Sequence, residues 1–342
     1  MDELREKFRQ QFPGVLYLSA DSGTVLEGYL RQQQWISEEE KIVSLEKPGE
    51  GNMNVVVRVM TDQQRFILKQ PRPWVNKYPQ VPAPMNRSEV EASFYKLVSQ
   101  NTTLKRFIPN LYNFDDRQFV LVLEDLGNGN DFTYLYQQGQ SVTADEVSTL
   151  ASFISQLHRI NKSSVKFPAN RAMKELNHEH IFNYPFLEEN GFNLDDVQPG
   201  LQEVSLKYKR NDALKTKVTQ LGKRYLATGT TLLHGDYYPG SWLKTASGIT
   251  IIDPEFAFLG DPEFDIGVMI AHLTMAETSS EHIKQVLNEY ERPYGYQDSL
   301  QRAYSGIEVL RRIIGLAQLP LVLSLEEKSN LLDRAADWVQ QY

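Results

Sequence analysis

Two acidic tripeptides within residues 232–273 constrain this chain more than any other feature. His234-Gly-Asp236 ends one apolar run, and Asp253-Pro-Glu255 ends another. Residues 242–252 between them form two short β-rich runs joined by Thr-Ala-Ser-Gly, which predicts a hairpin. Because a hairpin folds the chain back on itself, we expect the two tripeptides to lie near each other.

Two converging carboxylates suit phosphoryl transfer. Asp236 would accept the proton of an attacking hydroxyl, and Asp253 would hold the magnesium ion that bridges the nucleotide phosphates. Either tripeptide alone would be better explained as a turn, because Asp, Gly and Pro favour turns for backbone reasons. The combination with the hairpin, and with Asp265 at the start of an apolar helix, is more specific and predicts a kinase.

The composition narrows the class of protein. The 342 residues, 41% of them hydrophobic, allow two domains with a substantial core. The net charge of −8 argues against nucleic acid as a partner, since that interaction needs a basic surface. No apolar run approaches the roughly 20 residues that span a bilayer, so we expect no membrane partner. The absence of cysteine and the charged N-terminal residues favour a cytoplasmic protein, and we allow for a homodimer.

The order of secondary-structure signals predicts an α+β fold with two lobes. A three-stranded antiparallel meander is expected within residues 42–69, followed by a helix at 87–100 and a buried strand at 119–123. The remainder is mainly helical, with helices predicted at residues 143–160, 209–227, 263–276, 281–291, 300–319 and 326–341. We therefore expect a β-rich, nucleotide-binding lobe at residues 1–126, a mainly helical lobe at 127–342, and a ligand cleft between them.

Several residues of the first lobe suit a nucleotide. Gly49 and Gly51 fall in the first hairpin, where glycine lets backbone amides approach a phosphate, although two glycines alone would indicate only a tight turn. Lys69 ends the third strand, where a lysine would neutralise phosphates. Glu91 in the next helix would pair with Lys69, and Glu89 is the competing residue.

The segment Glu124-Asp-Leu126 follows the buried strand and would form the hinge between the lobes. Its backbone amides and carbonyls would bind adenine, so the side chains of this segment carry little information about that contact.

Segments spread over nearly the whole chain carry a family resemblance. They are Gly51-Asn-Met-Asn54, residues 68–75 with the downstream Arg87 and Glu91, residues 178–186 (HEHIFNYPF), residues 234–241 (HGDYYPGS), residues 252–258 (IDPEFAF), residues 264–267 (FDIG) and residues 308–317 with twin arginines. They resemble motifs of the aminoglycoside phosphotransferase and choline kinase superfamily, a branch of the protein-kinase-like fold. Within it they are most similar to the 5-methylthioribose kinases.

The resemblance implies catalytic and metal-binding roles in the second lobe. Asp236 would be the catalytic base within the motif that His234 opens, and both are candidate catalytic residues. Asp253 and Glu255 would hold magnesium. Ser241 stands five residues after the base, where protein kinases carry an asparagine that contacts a second metal ion.

The resemblance also implies a substrate site. Arg311 and Arg312 would face the sugar and the transferring phosphoryl group, although two cations on an amphipathic helix are more often a solvated face. Tyr237 and Tyr238 replace the Leu-His of the related HGDLHTGS motif and would lie beside the substrate.

Other matching residues would bind the nucleotide or support the site. Asn52 in the glycine-rich loop and Lys69 would contact ATP. Asp265 would be a structural acid that binds the catalytic loop, and His158 is more typical of packing than of catalysis.

The sequence thus predicts an ATP- and magnesium-dependent kinase acting on a hydroxyl of a small sugar-like molecule, 5-methylthioribose or a relative. The first alternative is a related phosphotransferase that acts on an amino alcohol, an aminoglycoside or a different sugar. The second is a nucleotide-binding pseudokinase with a regulatory role, against which the intact set of Lys69, Asp236 and Asp253 argues.

Overall fold

The computed structural model describes residues 2–49, 53–160 and 167–342. The chain divides into two compact units, Met1–Asn128 and Gly129–Tyr342. The first unit is built around a β-sheet and the second is mainly helical, in agreement with the predicted α+β class. Within the described ranges, no helix has both the length and the apolar character that a membrane span requires.

The first unit contains seven strands and three α-helices among its described residues, besides a 3-10 turn at Lys105–Phe107. The strands are β1 Ile42–Glu46, β2 Asn54–Thr61, β3 Arg65–Pro71, β4 Trp74–Val75, β5 Tyr78–Pro82, β6 Leu111–Asp115 and β7 Val120–Glu124. The helices are α1 Asp2–Gln11, α2 Gly23–Gln32 and α3 Arg87–Val98.

Five of these strands form one antiparallel sheet in the order β1-β2-β3-β7-β6, and β4 pairs with β5. The predicted meander corresponds to β1, β2 and β3. Helix α2 was not predicted, although Leu26 and Leu30 lie one turn apart and are buried in the same core as Val57 and Val59 of β2. The predicted strand at 119–123 begins one residue later, because Phe119 has a positive φ of 56°.

The second unit contains eight α-helices and five short strands among its described residues, besides short 3-10 and π turns. The helices are α4 Ala144–Leu157, α5 Arg171–His178, α6 Leu201–Lys209, α7 Asp212–Leu226, α8 Pro262–Met275, α9 Ser280–Glu289, α10 Asp298–Ile314 and α11 Leu325–Gln340. The strands are β8 Asn130–Asp131, β9 Thr231–Leu233, β10 Trp242–Thr245, β11 Gly248–Ile251 and β12 Phe258–Gly260.

All six helices predicted for this unit are present, with ends that differ from the prediction by one to five residues. The helix expected at 209–227 begins at Asp212, because the side chain of Asn211 accepts a hydrogen bond from the Leu214 amide and acts as an N-cap. Helix α10 ends at Ile314, before Gly315, instead of continuing to residue 319. Helices α5 and α6 were not predicted.

The core of the second unit surrounds α10. This helix packs against α8 and α11, and every residue of α10 from Ala303 to Ile314 is buried. The predicted hairpin is confirmed as β10 and β11, which pair from Trp242 with Ile251 to Thr245 with Gly248. The strands β9 and β12 pair next to it, so the two acidic tripeptides both leave short paired strands.

Candidate active site

The loop that carries Asp236 is held by a buried carboxylate. One oxygen of Asp265, in the first turn of α8, accepts a hydrogen bond from the His234 amide at 2.7 Å, and the other accepts one from the Gly235 amide at 2.9 Å. His158 Nε2 lies 3.2 Å from Asp265 Oδ2, and the Tyr290 hydroxyl lies 2.7 Å from His158 Nδ1. Asp265 therefore fixes the loop backbone, in the structural role that the resemblance implies.

Hydrogen bonds at both ring nitrogens hold the side chain of His234 in place. Its ring is fully buried, and its Nε2 lies 3.0 Å from the Ile252 carbonyl oxygen, which can only accept. This assigns the proton to Nε2 and leaves Nδ1 to accept from the Asp236 amide at 3.4 Å. The structure therefore favours a role in orienting Asp236 over the catalytic role predicted for His234.

The two acidic tripeptides lie against each other. Gly235 has a φ of 82°, and a Cβ atom at this position would lie 2.2 Å from the Phe256 carbonyl oxygen. Only glycine permits this approach. The charge of Glu255 is among the groups that raise the pKa of Asp236, which agrees with the expectation that the tripeptides converge.

The candidate metal ligands occupy a constrained turn after β11. Asp253 has a left-handed backbone conformation, with φ 61° and ψ 45°, which Asp adopts more readily than most residues. Glu255 is 3% exposed. The side-chain amide of Asn170 donates to the carbonyl oxygens of Glu255 and Ala257 at 2.9 and 3.0 Å. No sequence signal pointed to Asn170, which is more than 80 residues away along the chain.

Ser241 closes the catalytic loop from its other end. Its hydroxyl donates to the Asp236 carbonyl oxygen at 2.8 Å, and its own carbonyl accepts from the Ile252 amide at 3.0 Å. The structure therefore gives Ser241 a bridging role between the tripeptides, and its contact with metal stays a prediction.

Two guanidinium groups from α10 face Asp236. Nη2 of Arg312 lies 3.5 Å from Asp236 Oδ1, and Nη2 of Arg311 lies 3.7 Å from the same oxygen. Burial raises the pKa of Asp236, and although the two arginines oppose this effect, the pKa remains at about 6. The side chain keeps 20% of its surface exposed. Asp236 is thus mostly ionised at neutral pH and able to accept a proton.

The arginines are themselves held by Glu308, one helical turn earlier. Glu308 accepts from Arg311 Nε at 2.6 Å and from Arg312 Nε at 2.8 Å. His272 Nε2 lies 2.9 Å from Glu308 Oε1, and the Tyr136 hydroxyl lies 2.6 Å from His272 Nδ1. All three of Tyr136, His272 and Glu308 are buried. The i, i+3 and i, i+4 spacing within α10 could have revealed Glu308 from the sequence.

The two consecutive tyrosines have different environments. Tyr237 is fully buried, its hydroxyl donates to the Leu150 carbonyl at 2.9 Å, and its ring stacks on Phe153. This corrects the expectation that Tyr237 lies beside the substrate, because its polar atom and both ring faces belong to the core. Tyr238 is only partly buried, and the Arg312 guanidinium lies 5.0 Å from its ring centroid. Tyr238 remains the candidate of the pair.

In the first unit, Lys69 and Glu91 form a buried ion pair. Lys69 Nζ lies 2.8 Å from Glu91 Oε1, and the two residues are 3% and 1% exposed. Glu89 is exposed, so Glu91 is the partner. Buried Arg87 donates to the Met53 carbonyl at 2.8 Å and so anchors the segment that follows the glycine-rich loop.

The remaining predicted nucleotide residues can be placed in part. A Cβ atom added at Gly49 would meet no other atom within 4 Å. Gly51 and Asn52 lie outside the described residues. Glu124 ends β7, and its carboxylate accepts from Asn110. The contacts of Glu124 and Leu126 with adenine stay predictions.

A carboxylate beside two fixed guanidiniums, followed by a second acidic turn, is the constellation of a phosphotransferase of the protein-kinase-like class. Comparison with known proteins agrees. The model of the phosphotransferase enzyme family matches residues 44–303, and the chain belongs to this family.

Individual relatives are similar to this chain over most of its length. The methylthioribose kinase of Exiguobacterium sibiricum is 28% identical over 333 residues, which cover 84% of this chain and 83% of that protein. Among solved structures, a choline kinase of Cryptosporidium parvum has a TM-score of 0.55 at 14% identity and covers 93% of this chain and 94% of its own. An ADP-bound aminoglycoside phosphotransferase has a TM-score of 0.50 at 17% identity, covering 94% and 99%. These likenesses confirm the predicted fold.

Proposed function

We propose that this protein is an ATP- and magnesium-dependent kinase that phosphorylates a hydroxyl of a small sugar-like acceptor, 5-methylthioribose or a close relative. The observation that carries the proposal is the pair of guanidiniums within 3.7 Å of Asp236 Oδ1. The curated methylthioribose kinases that match most of the chain support the choice of acceptor.

The charges around Asp236 favour a polyhydroxyl acceptor over a cationic one. An acceptor hydroxyl must reach Asp236, so the rest of the acceptor must lie close to Arg311 and Arg312. Guanidinium groups donate hydrogen bonds to sugar hydroxyls and attract phosphoryl oxygens. Choline-type recognition instead needs aromatic rings around the cation.

The chain's own groups would carry the chemistry as follows. Asp236 accepts the proton of the acceptor hydroxyl, which its pKa of about 6 permits at neutral pH. Arg311 and Arg312 stabilise negative charge on the phosphoryl group as it moves. Lys69, held by Glu91, neutralises the phosphates of the nucleotide.

The acidic turn fits magnesium. Asp253 and Glu255 offer carboxylate oxygens, the hard ligands that magnesium prefers, and the ion would neutralise phosphate charge when bound. Within residues 2–49, 53–160 and 167–342, no three His, Cys, Asp or Glu side chains form a ready metal cage. Magnesium usually takes only one or two protein carboxylates and completes its shell with phosphate oxygens and water.

The direct test is an acceptor panel with ATP and magnesium, read by ADP release and by mass spectrometry of the product. The panel should contain 5-methylthioribose, ribose, choline, ethanolamine and an aminoglycoside. We expect phosphorylated methylthioribose, and at least about a hundredfold lower turnover for Asp236→Asn, the lower range for loss of a general base. Preferred use of choline or an aminoglycoside would instead establish the first alternative, and no product with any acceptor would favour a pseudokinase.

Arg311→Ala and Arg312→Ala should each impair use of the acceptor more than they impair ATP binding. Each removes a cation that contacts the acceptor in the ground state and the phosphoryl group in the transition state, so KM should rise and kcat should fall. Arg302→Ala is the matched control, because Arg302 is exposed on the same helix. If both variants behave like Arg302→Ala, the arginines have no part in the acceptor site.

A further inference from the structure

We propose that Tyr136, His272 and Glu308, named here the Glu308 triad, position both guanidiniums for phosphoryl transfer, and that Glu308 is the residue on which their alignment depends. The proposal rests on the proposed function, since it assumes that Arg311 and Arg312 act on the transferred group. It adds three residues that contact neither substrate nor nucleotide and act through the arginines.

Hydrogen-bond accounting fixes the direction of every bond in the Glu308 triad. Both arginine Nε atoms can only donate, so Glu308 accepts from them as a carboxylate. A carboxylate can only accept from His272 Nε2 as well, which places the imidazole proton on Nε2. The remaining lone pair on Nδ1 then accepts the Tyr136 hydroxyl proton. Only one tautomer of His272 satisfies all four bonds.

The protonation states agree with this arrangement. Burial lowers the pKa of His272 to about 4, so the ring is neutral at physiological pH. Burial alone would raise the pKa of Glu308, but the two guanidiniums beside it hold that pKa well below its usual range. Glu308 and Asp236 thus supply two negative charges opposite the two positive charges of the arginines, and His272 adds none.

The geometry explains why Glu308 controls alignment. Arg311 and Arg312 are adjacent like charges on one helix and would repel each other if unsupported. Glu308 binds each through Nε, at 2.6 and 2.8 Å, and both Nη2 atoms face the same oxygen of Asp236. Glu308 therefore holds each guanidinium at Nε, while its Nη2 faces the reacting carboxylate.

Such prealignment matters for rate more than for nucleotide binding. Charge stabilisation is most effective when the donors need no reorganisation as the transition state forms. In the absence of the Glu308 carboxylate, the two cations would have to be ordered at each turnover. We expect Glu308→Gln to lower kcat at least about tenfold, less than the roughly hundredfold or greater loss typical when such a donor is itself removed, with the Kd for ATP within about twofold of wild type.

His272 supplies a matched pair of variants that tests positioning without removing a charge. His272→Gln can place an amide N–H near the position of Nε2 and so can still donate to Glu308. His272→Leu has a similar size and no donor. We expect His272→Leu to lower kcat several-fold and His272→Gln to restore most of it, although both lose the bond with Tyr136. Equal turnover in the two variants would overturn the proposal, because a purely structural histidine gives no reason for rescue.

The order of the two arginine side chains can also be measured directly, without an activity assay. The Nε–H signals of Arg311 and Arg312 in ¹⁵N-resolved NMR spectra should be protected from solvent exchange in the wild-type protein. They should lose protection in His272→Leu and keep it in His272→Gln. Unchanged protection in His272→Leu would show that the triad does not hold the arginines.

The kinetic measurements should use whichever acceptor the wild-type protein accepts. If methylthioribose is refused but another acceptor is used, the proposed acceptor is wrong, and the effect of the triad is measured with that other acceptor. If methylthioribose is accepted and both His272 variants retain wild-type kcat, the acceptor assignment stands and the triad proposal fails.

Discussion

Two buried sets, each made of a tyrosine, a histidine and a carboxylate, hold the surroundings of Asp236, and they bind different groups. The Glu308 triad ends at two guanidiniums. Tyr290, His158 and Asp265, here the Asp265 triad, end at two backbone amides of the catalytic loop. In both, a tyrosine hydroxyl lies beside His Nδ1, and His Nε2 faces the carboxylate. The same chemical device therefore fixes a backbone in one place and a pair of charges in the other.

The difference in what each carboxylate binds predicts a difference in what each triad controls. Backbone amides exist in every conformation of the loop, and leaving them unpaired inside the protein costs folding free energy. Guanidiniums can find water when released, but then they no longer face Asp236. We therefore expect substitutions in the Asp265 triad to reduce stability first, and those in the Glu308 triad to reduce rate first.

The largest expected effect is that of Asp265→Asn. An amide offers one acceptor oxygen where the carboxylate offers two, so the His234 or Gly235 amide loses a partner. We expect a loss of about 3 kcal/mol in the free energy of unfolding, the upper range for a hydrogen bond to a charged group. Denaturant unfolding measures it.

Asp261→Asn provides the control for that experiment. Asp261 lies four residues earlier, and its carboxylate accepts from Arg224 at 2.7 and 3.0 Å and from the Tyr304 hydroxyl at 3.2 Å. Because Arg224 is 39% exposed and can be solvated when released, we expect Asp261→Asn to cost about 1 kcal/mol, less than Asp265→Asn. A stable Asp265→Asn variant with low kcat would break the comparison between the two triads.

An intermediate effect concerns Asp236 itself. Its folded-state pKa of about 6 lies above the usual value for Asp. The folded protein therefore binds this proton more strongly than the unfolded chain does, and ionised Asp236 destabilises the fold above pH 6. Asp236→Asn should thus be more stable than wild type by up to about 3 kcal/mol at pH 8.

The gain should shrink as the pH falls below 6 and should be small at pH 4, where Asp236 is protonated in the folded state and about half protonated in the unfolded chain. Thermal unfolding of both proteins between pH 4 and pH 8 measures the trend. A gain that does not change with pH would show that the two arginines already compensate the buried charge.

The smallest effects compare the two tyrosines. Tyr136→Phe and Tyr290→Phe each remove one hydroxyl that lies 2.6 or 2.7 Å from a histidine, at a cost of about 1 kcal/mol each. We expect Tyr136→Phe to lower kcat a few-fold, because the His272 ring loses its hydrogen bond at Nδ1 and is held less firmly against Glu308, and Tyr290→Phe to leave kcat unchanged. Equal kcat in the two variants would mean that the triads do not differ in what they control.

Local sequence signals predicted the parts of this site that neighbouring residues determine. Short-range turn signals predicted the hairpin of β10 and β11. They also predicted that each acidic tripeptide follows the end of a short strand. Glu308 could also have been identified from the sequence, since it shares a helix face with both arginines. His272 and Tyr136 were not, because they lie 36 and more than 170 residues from Glu308, and only the packing of α8 against α10 brings the first of them into contact.

The two tyrosines after Asp236 show a second limit of prediction from sequence. Tyr237 and Tyr238 are chemically identical neighbours, and a motif position could not tell which one enters the core. The structure places Tyr237 against Phe153 and leaves Tyr238 partly exposed near Arg312. Such a choice depends on the surfaces that surround the loop.

The burial of the C-terminal part of α10 also bears on how the acceptor preference of such a protein could be redesigned. Twelve consecutive residues of this helix, from Ala303 to Ile314, are enclosed by protein, and the two arginines are among them. Random changes at the apolar positions of this stretch would mostly yield misfolded proteins, and a screen would discard them before any new acceptor could be detected. Tyr238 lies in a loop and is partly exposed, so we expect a library centred on it to keep the folded scaffold while it tests whether this residue selects the acceptor.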